Sequence, residues 1–389
     1  MTPGNHTAGL DGENMRYILV FLGLVLIAAS VQADDDVIDI GVILPLSGHT
    51  SNYGTEALKG INLAVEIIND GGGVRGTKLK LIVADNTDDP ATTSQVVSRM
   101  IHDQNVIAVI GPITSTNSAA AAAVAQQAET PLILPVATSP HVTEIGEYIC
   151  RICFTDPLQS KALAEFSHKF LKLHKVAVIL EKGSAYSEKL AEFFVMRLRD
   201  TGCEVEFMES FEIDQGNLLT VVDQALAAAP DLIFAPVYYP EAAAIINRIA
   251  EAGSSVALLG GDGWESPELL RLSGRNIKSG QVFFSSHFSL QYPERTGSSF
   301  VEDFRKRFGD TPNAVSALGF DAVGVLSDAL SRATVMNRKG VQQALISTSS
   351  FAGVTGAISI NEKRNVVKDV YILKALEDEF VLETIISAF

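Results

Sequence analysis

Three short stretches carry most of the groups that could recognise a small polar molecule. Gly111-Pro112-Ile113-Thr114-Ser115-Thr116-Asn117-Ser118 lies between a β-branched apolar run and the alanine-rich stretch Ala119–Ala128. A strand there hands over to a helix, whose free N–H groups and positive macrodipole end suit a carboxylate. Asn117 or Ser118 also serves as a helix cap. Pro135-Val136-Ala137-Thr138-Ser139-Pro140 likewise leaves a strand, with two hydroxyls on a constrained backbone. Leu259-Gly260-Gly261-Asp262-Gly263-Trp264 sets one carboxylate among glycines at a third strand end. A buried acid requires a cation, which a ligand ammonium would supply; the plainer role for Asp262 is that of a turn residue. Tyr53, Tyr186, Tyr238, Tyr239 and Phe320 lie in or beside loops, where each is either core or pocket wall.

Residues for covalent or metal chemistry are not assembled in the same way. Gly71-x-Gly73-x-x-Gly76 matches a dinucleotide fingerprint on paper, but it follows a helix and precedes a strand, the reverse of what that fingerprint requires. It reads instead as a helix stop plus a turn. There is no G-x-x-x-x-G-K-[ST], H-E-x-x-H or G-x-S-x-G. The seven histidines are scattered; His141 and Glu144 are spaced i,i+3 without a third ligand nearby. Cys150 and Cys153 have the spacing of a redox pair, yet they fall in a strand, Tyr148–Phe154, where residues three apart face opposite ways. They and Cys203 read as buried thiols, too few for a disulfide framework. No metal, no cofactor and no enzymatic activity are expected.

These loops need a scaffold, and the chain supplies one by alternation. Strands are expected at Asp39–Leu44, Lys78–Asp85, Val106–Gly111 and Leu132–Leu134, with helices over Thr55–Asn69, Thr92–Asp103 and from Ser118. Asp70-Gly71-Gly72-Gly73 ends the first helix. After Phe154 the pattern restarts. Helices are expected at Ser160–Leu171, Ser187–Asp200, Leu218–Ala229 and Glu241–Ala252. They alternate with strands at Lys175–Leu180, Glu204–Phe211, Leu232–Val237, Ala257–Gly260 and Gln281–Ser285. Helices Ser298–Phe308 and Val315–Ala333 and strands Gly356–Ile360 and Val370–Leu376 follow. Such alternation makes right-handed βαβ units around parallel sheets. Two tandem units predict a bilobed protein with a cleft, a favoured place for small ligands.

Composition narrows the partners. The 389 residues are 47% hydrophobic, enough for ample core, and carry a formal charge of −16. That balance excludes a basic surface for nucleic acid; Arg305-Lys306-Arg307 reads as a solvated helix face. Tyr17–Ala29 is an apolar stretch preceded by Arg16 and followed by Ser30-Val31-Gln32-Ala33, the form of a secretory signal cleaved after Ala33. Met15 is the alternative start to Met1. No later stretch is expected to reach transmembrane length, so the mature chain is expected to be soluble and exported.

Taken in order, several segments resemble the branched-chain amino-acid-binding branch of the type I periplasmic binding proteins. They are Leu44–Gly54, Gly60–Gly73, Ile110–Ser115, Pro135–Pro140, Val237–Glu241, Gly260–Trp264 and Gly319–Ala322. The resemblance runs from about Asp39 to Asp378. It implies an α/β fold of two Rossmann-like lobes with three hinge crossovers, near Phe154–Thr155, Ser286–His287 and Arg364–Asn365. Residues 1–33 would then be the signal peptide, 34–154 plus 287–364 lobe 1, and 155–286 plus 365–389 lobe 2. By the same resemblance Ser115 and Thr138 hold an α-carboxylate. The Val136 carbonyl and the Asp262 carboxylate take the ammonium, and Tyr53, Tyr186, Tyr238 and Phe320 line or close the pocket.

There are departures. Asp262 is one methylene shorter than the glutamate of the leucine binder, so the ammonium must sit deeper or be reached through water. Val136 replaces a smaller residue, Ser187 follows Tyr186 where glycine is usual, and the N-terminal-lobe disulfide has no counterpart. The implied function is a periplasmic solute-binding protein delivering a small amino acid, foremost Leu, Ile or Val, to an ABC-type permease. The alternatives are a ligand-sensing module of a receptor or regulator, and the same fold binding an amide, urea or a small aromatic acid.

Overall fold

β-Branched apolar runs and segments with a 3.6-residue apolar period alternate along the chain, and each takes the structure its period favours. The computed structural model describes residues 1–4, 37–279, 281–292 and 298–388. The segment expected to act as a signal, with its expected cleavage after Ala33, lies outside the described residues.

The first run of elements is β1 (Val37–Leu44), α1 (Ser51–Asp70), β2 (Lys78–Asp85), α2 (Pro90–His102), β3 (Ala108–Ile110), α3 (Ser115–Gln127), β4 (Leu132–Leu134), α4 (His141–Glu144) and β5 (Ile149–Arg151). Its strands form a five-stranded sheet in the order β2-β1-β3-β4-β5. Local chemistry sets the ends. Asp89 caps α2 by accepting from the Thr92 N–H, with Pro90 in the first turn. Gly73, at φ +75°, turns the chain after α1, and a Cβ there would collide with the Thr77 carbonyl. The Gly71–Gly76 stretch is thus a helix stop and turn. The helix expected from Ser118 begins three residues earlier, with Thr114 as its N-cap residue and Ser115 in its first turn. Asn117 and Ser118 therefore lie inside the helix and do not cap it.

The second run is α5 (Asp156–Glu165), continued by a π-turn at Phe166–Phe170, then β6 (Lys175–Glu181), α6 (Ala185–Leu198), β7 (Glu204–Phe211), α7 (Leu218–Ala227), β8 (Leu232–Ala235), α8 (Tyr239–Glu251), β9 (Ala257–Gly260), α9 (Pro267–Ser273) and β10 (Val282–Ser286). After it come α10 (Ser298–Phe308), α11 (Ala314–Arg332), α12 (Arg338–Ile346), the small hairpin β11 (Phe351–Gly353) and β12 (Gly356–Ile358), β13 (Val370–Ala375) and β14 (Phe380–Ile386). The second sheet runs β14-β13-β10-β9-β8-β6-β7. Strands β6 to β10 pair in parallel, but β13 and β14 are antiparallel. The short connection after Ala375 allows nothing else, because a parallel return needs a crossover of a dozen residues or more.

The chain leaves the first sheet after β5, returns after β10 to helices packed on α1, and re-enters the second sheet at β13. The Arg364 carbonyl accepts from the Arg151 N–H at 3.1 Å, which pins that last passage beside β5. Helix α11, contrary to the expectation from sequence, is long and apolar enough to cross a membrane, but it is mostly buried as a core helix. It lies close against α1 because Gly60 faces the Ser316 carbonyl, where any Cβ would clash.

Candidate functional site

Seven of the eight residues singled out in the sequence meet at one cavity. Tyr53, Ser115, Val136, Thr138, Tyr186, Tyr238 and Asp262 line it together with Ile113, Ala137, Gly263 and Val315. Most arrive from loops that follow β3, β4, β6, β8 and β9, the C-terminal strand ends where open α/β sheets bind ligands. The free space is about 20 Å³, room for one water. Phe320 is not part of the lining. Its ring packs 4.9 Å from Phe300, in the apolar cluster between α10 and α11, because that turn of α11 faces α10.

One wall carries hydroxyls and helix N–H groups. Ser115 stands in the first turn of α3, whose N-cap residue Thr114 makes no side-chain capping bond. Its Oγ accepts from the Ser139 N–H at 3.4 Å, tying the α3 start to the Pro135–Pro140 turn. That turn is held from behind by Arg151, which is fully buried. The guanidinium donates to the Ala137 carbonyl at 2.5 Å and the Ser139 carbonyl at 2.6 Å, on either side of Thr138. Its Nε donates to Asn365 Oδ1 at 2.7 Å. An arginine inside an apolar strand is the sequence signal that could have exposed this role, since buried arginines need partners. The neighbouring Cys150 and Cys153 are free and buried, their thiols pushed up to about 12 by burial.

The other wall carries a carboxylate and phenols. Asp262 is 8% exposed. Its Oδ1 accepts from Gln159 Nε2 at 3.0 Å, and its Oδ2 lies 3.1 Å from His287 Nε2. Burial holds the His287 imidazole below its ordinary pKa, so near pH 7 it is a neutral donor and not a counter-ion. No lysine or arginine ion-pairs with Asp262 among the described residues. Gln159 and His287 were not read from the sequence; they lie 103 and 25 positions from Asp262, and neither belongs to a local motif. Tyr186 and Tyr238 stack with centroids 5.1 Å apart, and the Tyr186 hydroxyl accepts from the Gly263 N–H at 3.1 Å. Tyr53, from α1, donates to the Gly263 carbonyl, which joins the two walls directly. Burial raises the pKa of all three phenols well above the usual value, so they remain protonated.

Residues 37–379 match the family model described as periplasmic binding protein. The chain belongs to the periplasmic binding protein family. Curated relatives include Leu/Ile/Val-binding protein homolog 1 of Brucella abortus, 26% identical over 88% of this chain and 92% of that relative. Homolog 3 of Brucella melitensis is 28% identical over 71% of this chain and 73% of its own length. Among solved structures, the leucine binding protein LivK of Thermotoga maritima superposes with a TM-score of 0.85 at 29% identity, covering 90% of this chain and 99% of that one. The branched-chain amino acid transporter substrate binding protein LivJ of Streptococcus pneumoniae, in complex with isoleucine, gives 0.83 at 28% identity over the same shares. The fold is that of these type I periplasmic binding proteins.

In this family member further bonds cross from helix starts beside the first sheet to residues beside the second. Ser266 Oγ donates to Asn52 Oδ1 at 2.8 Å, and the Ala185 N–H donates to Thr116 Oγ1 at 3.2 Å. At the rim His49 Nε2 lies 2.6 Å from Glu241 Oε1. That hydrogen bond raises the His49 pKa, while burial beside Glu241 pushes the nearby Glu181 up to about 7.

Proposed function

We propose that this periplasmic binding protein captures an amino acid with a branched apolar side chain, Leu, Ile or Val, and delivers it to an ABC-type permease. The observation that carries the reading is Asp262. It is a buried carboxylate with only neutral donors around it, set across a small cavity from the start of a helix. An α-ammonium supplies the cation that Asp262 lacks, and the Val136 carbonyl supplies a second acceptor. The α-carboxylate of the same molecule takes the Ser115 and Thr138 hydroxyls and the α3 N–H groups. Tyr53, Tyr186 and Tyr238 then enclose the side chain. The names of the relatives support the same ligand class.

A space of one water's size admits an amino acid only when the walls part. The proposed hinge therefore separates residues 34–154 plus 287–364 from 155–286 plus 365–389, and the ligand draws the halves together through contacts that exist only when they are closed. Residues 1–33 act as the export signal, placing the mature chain in the periplasm.

Calorimetric titration of ligand-stripped mature protein with Leu, Ile, Val, the other amino acids, small amides and benzoate tests the reading. Binding confined to, or strongest for, Leu, Ile and Val is the expected result. Binding of an amide or aromatic acid with no amino acid bound would overturn the ammonium–Asp262 pairing.

A further inference from the structure

The cavity lies at the C-terminal ends of the strands; at their N-terminal ends, roughly 20 Å away along β6, three side chains of metal-ligating type converge. His168 sits in the π-turn Phe166–Phe170, where the Leu171 N–H donates to the Phe166 carbonyl five residues back at 3.1 Å. His174 immediately precedes β6 and Cys203 immediately precedes β7. These strands are parallel with Lys175 opposite Glu204, so the register sets His174 and Cys203 side by side. One ligand atom from each of His168, His174 and Cys203 lies within 4.8 Å of the other two.

Two independent features distinguish the cluster from a chance meeting. His168 Nδ1 is buried and has no hydrogen-bond partner, an unusual state for a polar atom. The π-turn that presents it is a rare distortion that concentrates at functional sites. The loop is also fixed and electrostatically suited to a cation. Asp231 Oδ2 accepts from the His174 and Lys175 N–H groups at 3.2 and 3.0 Å, holding a carboxylate behind His174.

We propose that His168, His174 and Cys203 bind one divalent transition-metal ion of Zn²⁺ type. Two imidazole nitrogens and one thiolate form three corners of a tetrahedron, the arrangement such ions favour. Ligand atoms at bonds of about 2.0–2.3 Å stand about 3.5 Å apart. Rotation of the exposed His174 ring closes the remaining gap. Because His174 is exposed, solvent can supply the fourth ligand. The Cys203 Sγ–H now points at the Leu173 carbonyl, 3.2 Å away; on binding, that proton passes to solvent and a metal–sulfur bond replaces it. The ion would tie the π-turn to the starts of β6 and β7. Because the cavity lies at the far strand ends, it would leave amino-acid affinity unchanged, and the inference stands independently of the ligand assigned there.

The test uses tag-free, reduced mature protein and Co²⁺ as the spectroscopic probe. One Co²⁺ per chain should bind, with a near-ultraviolet thiolate-to-cobalt charge-transfer band and visible tetrahedral bands, both removed by one equivalent of Zn²⁺. Cys203→Ser should abolish the charge-transfer band, and His174→Ala should weaken Zn²⁺ binding at least tenfold. His174 is exposed, so its replacement does not endanger folding. Zn²⁺ should raise the Tm of the parent but not of the His168→Gln/His174→Ala double variant. The proposal is overturned by the absence of a thiolate band, by a band that survives Cys203→Ser, or by a Zn²⁺-dependent Tm rise that survives loss of both histidines.

Discussion

The cavity wall that follows β3 and β4 presents hydroxyls and helix N–H groups, whereas the wall that follows β6, β8 and β9 presents a carboxylate and stacked phenols. The first is a field of fixed dipoles. It depends on backbone position, which is why a fully buried arginine grips the Ala137 and Ser139 carbonyls on either side of Thr138. The second concentrates one formal charge in Asp262 and surrounds it with neutral donors, Gln159 and His287. A dipole wall requires rigidity; a charge wall requires a missing counter-ion. A zwitterion answers both.

That contrast can be broken one wall at a time. The largest effect should come from the charge wall: Asp262→Ala is expected to weaken amino-acid binding by about 2–5 kcal/mol, as removal of one partner of a buried charge pair does. Titration of the same variant with 4-methylpentanoate, which has no ammonium, should show no such loss. Equal losses for both ligands would mean that Asp262 acts through the fold instead. Next is the support of the dipole wall. Arg151→Leu leaves two buried carbonyls without donors and should cost about 3 kcal/mol of unfolding free energy in urea melts. A variant as stable as the parent would show that the turn holds itself.

Smaller effects sharpen the comparison. Ser115→Ala should reduce amino-acid affinity about tenfold, roughly 1.5 kcal/mol for a hydrogen bond to a charged group. It should leave an amine without a carboxylate unaffected, the mirror image of Asp262→Ala. The rim pair comes last. His49 is partly exposed, so solvent screening limits its bond to Glu241 to under about 1 kcal/mol, measurable as the stability lost in His49→Gln.

The pH profile follows from the buried acids. Burial raises Asp156, Glu181 and Glu265 each to about 7. Between their ordinary range near 4 and pH 7 the folded chain therefore binds more protons than the unfolded one, and stability must fall as pH rises. His49, also raised, acts in the same sense above 6.5. Lys368, pushed down to about 8 by burial, acts oppositely above pH 8, whereas the buried Cys150 and Cys153 thiols, raised to about 12, renew the decline above about pH 9. Melting temperatures from pH 5 to pH 8 should decline, and Glu181→Gln should flatten the decline. A Tm that rises over this range would contradict the burial of these carboxyls.

Local pattern made much of this legible. The loops after β3, β4 and β9 could be found because strand ends, glycines and helix starts announce themselves within a few residues, and the four residues chosen there, Ser115, Val136, Thr138 and Asp262, all line one cavity. Phe320 was misplaced for the opposite reason. Its segment was recognised, but which way the α11 turn faces depends on α10, and nothing near Phe320 encodes that. The antiparallel edge was missed because the strand expectation ended before the hairpin that makes β14.

The alternating α/β scaffold, the family, and the loops that stand at the strand ends can be read from residue order, because periodicity and turn chemistry act over short distances along the chain. It takes the folded chain to bring Gln159 and His287 to Asp262, Arg151 to the Thr138 turn, and His168, His174 and Cys203 together. Those meetings are set by strand register and by chain passages between the sheets, which join residues tens of positions apart and leave no repeat for a linear reading to detect.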